Sequence, residues 1–400
     1  MMGRTQIGFM QLILCILFIH VKTLESERQV LTFPGAAWPQ ETVAFISAIL
    51  VVHSRPAPPI LATIKRGASM SFLETEKPQQ FKFKSTSKFI SGAARQDGVY
   101  KGQPRRFCLP LSHAEENLIP AARKPAIEWF DSHKIKWHDG KDGKPSNHMC
   151  DSQVCCVNFL FPFADRPEPL ARLLKPLFPD LKRMLHIEGD RFVTFEWIGG
   201  DYLNERRRKN SRRTRGANFT SADACVAFER TDGKKQVILI EWKYTESYGS
   251  TFLKMSDNGT DRTKIYQPLF DKTDCPIDKG LLPAFESLFF EPFYQLMRQQ
   301  FLAQEMESAK EIDADIVSLL HIAPDHNKDF HRVTSPQLQQ LGSKATDVWV
   351  KLIKKPGRFL STSTEMLFGD LLTSPPGGMR DWAEYLNQRY PWATSGNSSC

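Results

Sequence analysis

Between Ala222 and Thr245 two apolar runs of strand length face each other across a polar break, and this stretch constrains the chain more than any other. Ala222–Arg230 and Gln236–Thr245 are joined by Thr231-Asp232-Gly233-Lys234-Lys235. Asp-Gly between apolar runs is a strong hairpin signal, because glycine accepts the positive φ that a tight turn requires. The second run is unusual in ending on charge. A period of two places Glu241 and Lys243 on the face of Val237 and Leu239, with Ile238, Ile240, Trp242 and Tyr244 opposite. A carboxylate and an ammonium at the end of a hydrophobic strand are expensive to bury unless they are paired or bind an ion. Asp223, on the partner strand, joins them only in a suitable register. A three-residue loop (Asp232, Gly233, Lys234) pairs Thr231 with Lys235 and sets Asp223 opposite Lys243, whereas a two-residue loop sets it opposite Trp242 and disperses the cluster. An odd-length loop is therefore expected.

Other elements follow from the same patterns. Pro125–His133 predicts a short helix, Ser152–Phe163 is a strongly apolar segment carrying Gln153 and Asn158, and Arg166–Leu185 reads as helical with interruptions at Pro176 and Pro179. Arg191–Ile198 alternates as a strand with Thr194 and Glu196 on one face. Pro292 suits the start of a helix reaching Met306, with Phe293, Leu296, Met297 and Phe301 on an apolar stripe and Gln295, Arg298 and Gln299 on a polar one. Ile316–Ala323 is a continuous apolar run, a buried strand ended by Pro324. The order of helix, three strands, helix and strand predicts an α/β fold with a mixed central sheet flanked by helices. Residues 70–106 are polar and read as an arm, 107–330 as the core, and 331–400 as a helical extension packed on it.

The amino-terminal 1–69 are set apart. Phe9–Ile19 is an apolar run behind Arg4, like the core of a signal peptide, but too short to span a bilayer and without a small-residue cleavage site after it. The expectation is a start at Met70 preceded by an over-extended reading frame; the rival is a membrane anchor. Eight cysteines at irregular spacings, with Cys155 and Cys156 adjacent, form no paired zinc-binding units and read as reduced thiols of a cytoplasmic protein. Cys150, Cys155 and Cys156 near His148 fit core packing better than a metal cluster.

With 400 residues, 41% of them hydrophobic, the chain can bury one large core or two modest ones without disulfides. Lys and Arg number 53 against 45 Asp and Glu, a net charge of +8 and a mild bias towards polyanions. Much of it sits in one run, with Arg206, Arg207, Arg208, Lys209, Arg212, Arg213 and Arg215, suited to phosphate contacts whose strength falls with salt. Two carboxylates, Asp223 and Glu241, can hold Mg²⁺ (or Mn²⁺) through oxygen ligands, with Lys243 orienting a water or offsetting charge on a phosphorane.

The stretch RTRGANFTSADACVAF…VILIEWKYTESYG, within Ser146–Asn327, resembles the core hairpin of the restriction-endonuclease-like PD-(D/E)XK nucleases, particularly those found in bacteria. The resemblance implies Asp223, Glu241 and Lys243 as an active-site triad, and is similar also in the later helix with Gln295, Arg298 and Gln299 facing the substrate. A further acidic residue is open: Glu196 is favoured over Glu168 and Glu128, and Gln153 could replace it. Asp325-His326-Asn327 reads as a turn rather than a catalytic group. The expected activity is a Mg²⁺-dependent nuclease acting on nucleic acid, double-stranded DNA first, with a homodimer allowed and no stable membrane association. The alternatives are a catalytically silent nucleic-acid-binding protein of the same fold, and a membrane-tethered protein of unrelated function.

Overall fold

The computed structural model describes residues 70–206, 212–217 and 219–398, which fall in a compact unit, Ser69–Cys400. The reading of 1–69, as extension or anchor, lies outside the described residues. In chain order the elements are α1 (Phe72–Thr86), the small hairpin β1 (Gly98–Tyr100) and β2 (Gln103–Arg105), α2 (Pro120–Ser132), α3 (Ser152–Leu160) and α4 (Pro167–Leu174). Then come β3 (Leu181–Leu185), β4 (Val193–Trp197), β5 (Ala222–Arg230), β6 (Lys235–Trp242), α5 (Thr263–Asp271) and α6 (Phe293–Ser308). The chain closes with β7 (Ile316–Ala323), α7 (Ala345–Leu352), β8 (Phe359–Ser363), α8 (Thr364–Thr373) and α9 (Arg380–Arg389).

The main sheet has six strands in the order β3-β5-β6-β7-β8, with β4 also paired to β5 beyond the end of β3. Pairs among β3, β4, β5 and β6 are antiparallel, while β6–β7 and β7–β8 are parallel, so the fold is α/β with a mixed sheet, as expected. Both faces are covered, which explains why β6 and β7 are apolar on every side. Ala224, Val226, Ile238, Ile240 and Leu320 pack with Phe159, Phe368 and Trp382 from α3, α8 and α9. On the other face Cys225, Val237, Leu239 and Leu319 meet Phe293, Met297 and Phe301 of α6 and Trp349 of α7. Each fully buried side chain of this size contributes about 1.5–3 kcal/mol relative to exposure. Among the described residues no helix is long and apolar enough to cross a membrane. The six cysteines among them are free and buried, in keeping with core packing.

Three readings are corrected. Residues 70–106 are no arm: α1, capped by Ser71, buries Phe72, Phe83, Gln80 and Lys84. Its polar groups are spent inside, with Lys84 Nζ donating to Gln96 O (3.0 Å) and Cys108 O (3.1 Å), and Gln80 Nε2 donating to Tyr244 Oη (3.0 Å). Residues 331–400 are not only a helical extension, since β8 extends the sheet by pairing β7, Leu319 with Phe359 through Ala323 with Ser363. Past Pro176 and Pro179 the chain becomes β3 instead of continuing a helix, because Leu181–Leu185 finds a partner in the far half of β5.

Candidate active site

The hairpin that carries the site closes with an odd loop, one residue earlier than expected. Arg230 N–H donates to Lys234 O (2.8 Å) and Gly233 N–H to Arg230 O (3.0 Å), leaving Thr231, Asp232 and Gly233 as the loop. Gly233 takes φ +82°, a conformation glycine adopts without strain. Glu229 then pairs with Lys235 and Ala224 with Ile240, so continuing the ladder puts Asp223 opposite Glu241 and not Lys243. A two-residue slip keeps the parity of faces, and all three side chains stay on one side.

The neighbouring strands extend this pairing into a row. Phe195 pairs with Ala224 and Trp197 with Ala222, which brackets Glu196 opposite Asp223. On the far side Glu241 pairs with His321, and His321 with Ser361. Glu196, Asp223, Glu241 and His321 thus lie abreast across four strands. Glu196 is fully buried and sits at φ +51°. For a residue other than glycine this costs roughly 1–3 kcal/mol, and it persists only where the surroundings impose it. Arg215 does so: its Nε donates to Phe195 O (3.2 Å) and Glu196 O (3.1 Å), and its Nη1 pairs with Glu188 at 2.8 Å. The Glu196 carboxylate accepts from Gln153 Nε2 (2.7 Å) and Ser221 Oγ (2.7 Å), with His138 Nε2 at 3.6 Å. Gln153 therefore holds the Glu196 carboxylate in place.

Glu241 is buried, ion-paired to Lys243 and hydrogen-bonded by Gln299 Nε2, which also donates to Ser221 O (3.2 Å). Its Oε1 has no hydrogen bond, the contact with Lys243 lacking the geometry of one. Asp223 is half-buried and accepts the Trp242 N–H (2.7 Å). Burial, and then the Glu241 carboxylate, push the Asp223 carboxyl well above its usual range, against the pull of Lys243. Burial opposes the charge on Lys243, but the Glu241 carboxylate outweighs it and holds the ammonium well above its ordinary value. Burial, helped by Lys243, pushes His321 well below its usual range, and its Nε2 has no partner.

Two carboxylates side by side, of which Glu241 is ion-paired to Lys243 while burial and Glu241 disfavour the charge on Asp223, form an arrangement that a further cation would relieve. Among the described residues no group of three His, Cys, Asp or Glu side chains is set to hold a metal ion. The donor set fits a hard cation of the Mg²⁺ type, which takes one or two carboxylates and fills its shell with water and phosphate oxygens.

Above Asp223 opens a cleft of about 550 Å³. Gln295, Arg298 and Gln299 of α6 form one wall, Lys136, His138 and Asp139 the other. Arg298 Nη1 donates to Thr220 Oγ1 (3.0 Å) and its guanidinium lies 4.6 Å over the Tyr294 ring. Glu128 and Glu168 are exposed and line no part of this cleft. Asp325-His326-Asn327 forms a turn, with Asn327 Nδ2 donating to Tyr244 O (2.9 Å) and Glu246 O (2.8 Å) and so holding the chain beyond β6.

The basic run divides. Arg207, Arg208 and Lys209 lie outside the described residues. Arg206 pairs with Asp201 (2.5 Å), Arg213 donates to Ile198 O (2.5 Å) and Gly199 O (2.7 Å), and Arg215 is committed as above, whereas Arg212 is exposed. Two residues escaped the sequence reading, Asp151 at the start of α3 and His138 on the cleft wall. Asp151 caps α3 by accepting the Val154 N–H (2.8 Å), and burial pushes its carboxyl up to about 7. Its signal was an Asp directly before an apolar run, the pattern of a helix N-cap. His138 had no signal, being one polar residue among many in a loop.

No curated protein and no solved structure matches the chain. The model of the family described as Restriction Endonuclease associating with ARP matches residues 77–391, a span holding the sheet, the cleft and the row from Glu196 to His321. On that match the chain belongs to this restriction-endonuclease family.

Proposed function

We propose that the chain is a metal-dependent phosphodiesterase of the PD-(D/E)XK kind acting on DNA, with Asp223 and Glu241 as metal ligands, Lys243 as the charged partner and Glu196 in support. The observation that carries this reading is the register of β5 and β6, which sets two carboxylates against each other with Lys243 on the same face, Asp223 lining an open cleft and Glu241 and Lys243 buried beside it. A bound Mg²⁺ or Mn²⁺ polarises the scissile phosphate and lowers the pKa of a water. In hydrolysis the water oxygen bonds to phosphorus and one P–O ester bond breaks. Lys243 stays protonated in this environment, so its role is to steer the water by hydrogen bonding and to offset the charge gathering on the phosphorane. Gln299 aims the Glu241 carboxylate, and Gln153 and Ser221 do the same for Glu196. Arg298 and Gln295 line the wall where the phosphate flanks come to rest.

The test is incubation with duplex DNA, single-stranded DNA and RNA, with and without Mg²⁺, beside Glu241→Gln. Cleavage of DNA that needs the metal and falls at least about 100-fold in Glu241→Gln, with binding retained, is expected. Absence of metal-dependent cleavage by the parent sinks the reading. A second reading, a silent binding protein of the same fold, is favoured by one observation: Lys243 already neutralises Glu241. Binding without turnover in every metal tried would select it.

A further inference from the structure

Between α2 and α3 the chain crosses the mouth of the cleft in a segment that alternates. Ile135 and Trp137 point inward, Trp137 stacking on Phe130 at 3.8 Å, while Lys134, Lys136 and His138 are exposed. Several backbone groups of the segment are pinned. Ile135 N–H donates to Phe130 O (2.8 Å), Lys136 N–H to Arg215 O (3.0 Å) and His138 N–H to Gln153 Oε1 (2.8 Å), while Gln153 Nε2 donates to Lys136 O (3.2 Å). Gly216 presses so close that a Cβ there would stand 2.4 Å from Lys136 O. Gln153 also holds Glu196, so a single side chain fixes the position of the exposed cations relative to the carboxylate row.

Beyond this segment lies a second groove of about 620 Å³, and Lys136 lines both cavities. Lys134, Lys144 and Arg212 line the second alone. Their charges are not equally free. Lys144 is paired with Glu115 at 2.8 Å. Lys134 meets Asp131 only at 3.8 Å, both well exposed, a contact worth little. Lys136 and Arg212 are exposed and have no ion-pair partner among the described residues. The two grooves thus join at a rigid cationic point, with free positive charge on one side of an acidic floor. A solvated surface lysine needs no such fixing of its backbone.

We propose that this second groove binds the sugar–phosphate backbone of the strand being cut, on one side of the scissile bond, with Lys136 at the joint, Arg212 and Lys134 beyond it, and His138 beside the cleavage point. The identity of the polyanion rests on the nuclease reading. Contacts of this kind reach phosphates and not base edges, so they position the strand without reading its sequence. They also give a strand a favourable route to a floor whose carboxylates repel it.

The experiment is equilibrium binding by the full chain in a chelator, so that nothing is cleaved, to a labelled oligonucleotide offered as a single strand and as a duplex across a salt series. Lys136→Ala, Arg212→Ala and the double variant are compared with the parent and with Lys88→Ala, an exposed lysine just past the end of α1. The double variant is expected to bind at least about 10-fold more weakly at low salt, and its slope of log affinity against log salt to fall by about one for each phosphate contact removed. An effect on only one form supports the proposal and identifies the form that enters the groove. Unchanged affinity and slope on both forms overturn it, as does poly-glutamate competing as well as the oligonucleotide. If the parent cleaves in Mg²⁺ while the double variant binds as the parent does, this inference falls and the nuclease reading stands. If nothing is cleaved but binding depends on Lys136 and Arg212, the nuclease reading falls and the groove stands as a binding site for the sugar–phosphate backbone alone.

Discussion

At Asp223 a half-buried carboxylate faces a second one, Glu241, and its ionised form is disfavoured by burial and by that neighbour together. Its native pKa stands above the unfolded value of about 3.9, so whatever stability its protonated form contributes is complete below that pH and is lost as pH rises through the native pKa. Asp223→Asn removes the loss and keeps an oxygen for the Trp242 N–H. In the absence of metal the variant is therefore expected to melt a few degrees higher than the parent at pH 8, with the gap closing towards pH 4, while DNA cleavage disappears. Thermal unfolding of both proteins across that range is the measurement, and a gap that does not change with pH would contradict the account. Glu196 makes the same point through its backbone, in a conformation that Arg215 and Gln153 hold in place. At this scale much was legible: a period of two put Glu241 and Lys243 on one face before any fold was known. The opposite number of Asp223 was not, because it hung on whether Gly233 or Lys234 closed the loop, a choice made by one positive φ.

Elements that satisfy their polar groups locally could be read, and those that satisfy them at a distance could not. The bounds of β5 and β7 follow from apolar runs between breakers. By contrast α1 looked like an arm because its Gln80 and Lys84 find partners on other segments, and β8 was missed because it is short and carries Ser361, Thr362 and Ser363. The small hairpin of β1 and β2 is buttressed in a similar long-range way. His148 lies 4.6 Å from the Tyr100 ring and edge-on to Phe107 at 5.0 Å. Burial, with Lys77 next, pushes its pKa from 6.5 down to about 4, so the native state holds it neutral. The stability this gives is fully present above pH 6.5 and is lost as pH falls through about 4. Asp151 works against it over part of that window, since its raised carboxyl takes up a proton in the folded state as pH drops below about 7. A site-resolved signal separates them: the ring protons of His148 in an NMR titration are expected to move near pH 4, and stability in His148→Phe to depend less on pH between 6.5 and 4. A midpoint near 6.5 would show that the ring is solvated.

For the whole molecule the question is what makes the early and late chain one body with the sheet between them, since the family match runs from 77 to 391 without a break. The answer lies at Arg389, fully buried near the end of α9. Its Nε donates to Gln80 Oε1 of α1 (3.0 Å), its Nη1 to Asn117 O (2.6 Å) and Tyr385 Oη (2.5 Å), and its Nη2 to Met149 O (2.9 Å) and Asn117 Oδ1. One guanidinium so joins α1, the loop before α2, the loop before α3 and its own helix. Replacing a whole buried polar network by packed apolar groups can be neutral, but removing one member leaves the others unsatisfied. Arg389→Leu strips donors from five acceptors at once and is expected to cost roughly 3–5 kcal/mol. Arg389→Lys is expected to recover only part of this, because an ammonium cannot spread its donors over that planar fork. Denaturant unfolding reads the loss as a lower midpoint at an unchanged m value, the sign that the same body unfolds as one. A smaller m value would mean that α1 and α9 come away before the sheet does, and a midpoint equal to that of the parent would mean that the aromatic cluster of Phe83, Tyr385 and Tyr390 around the guanidinium holds the two ends together without it.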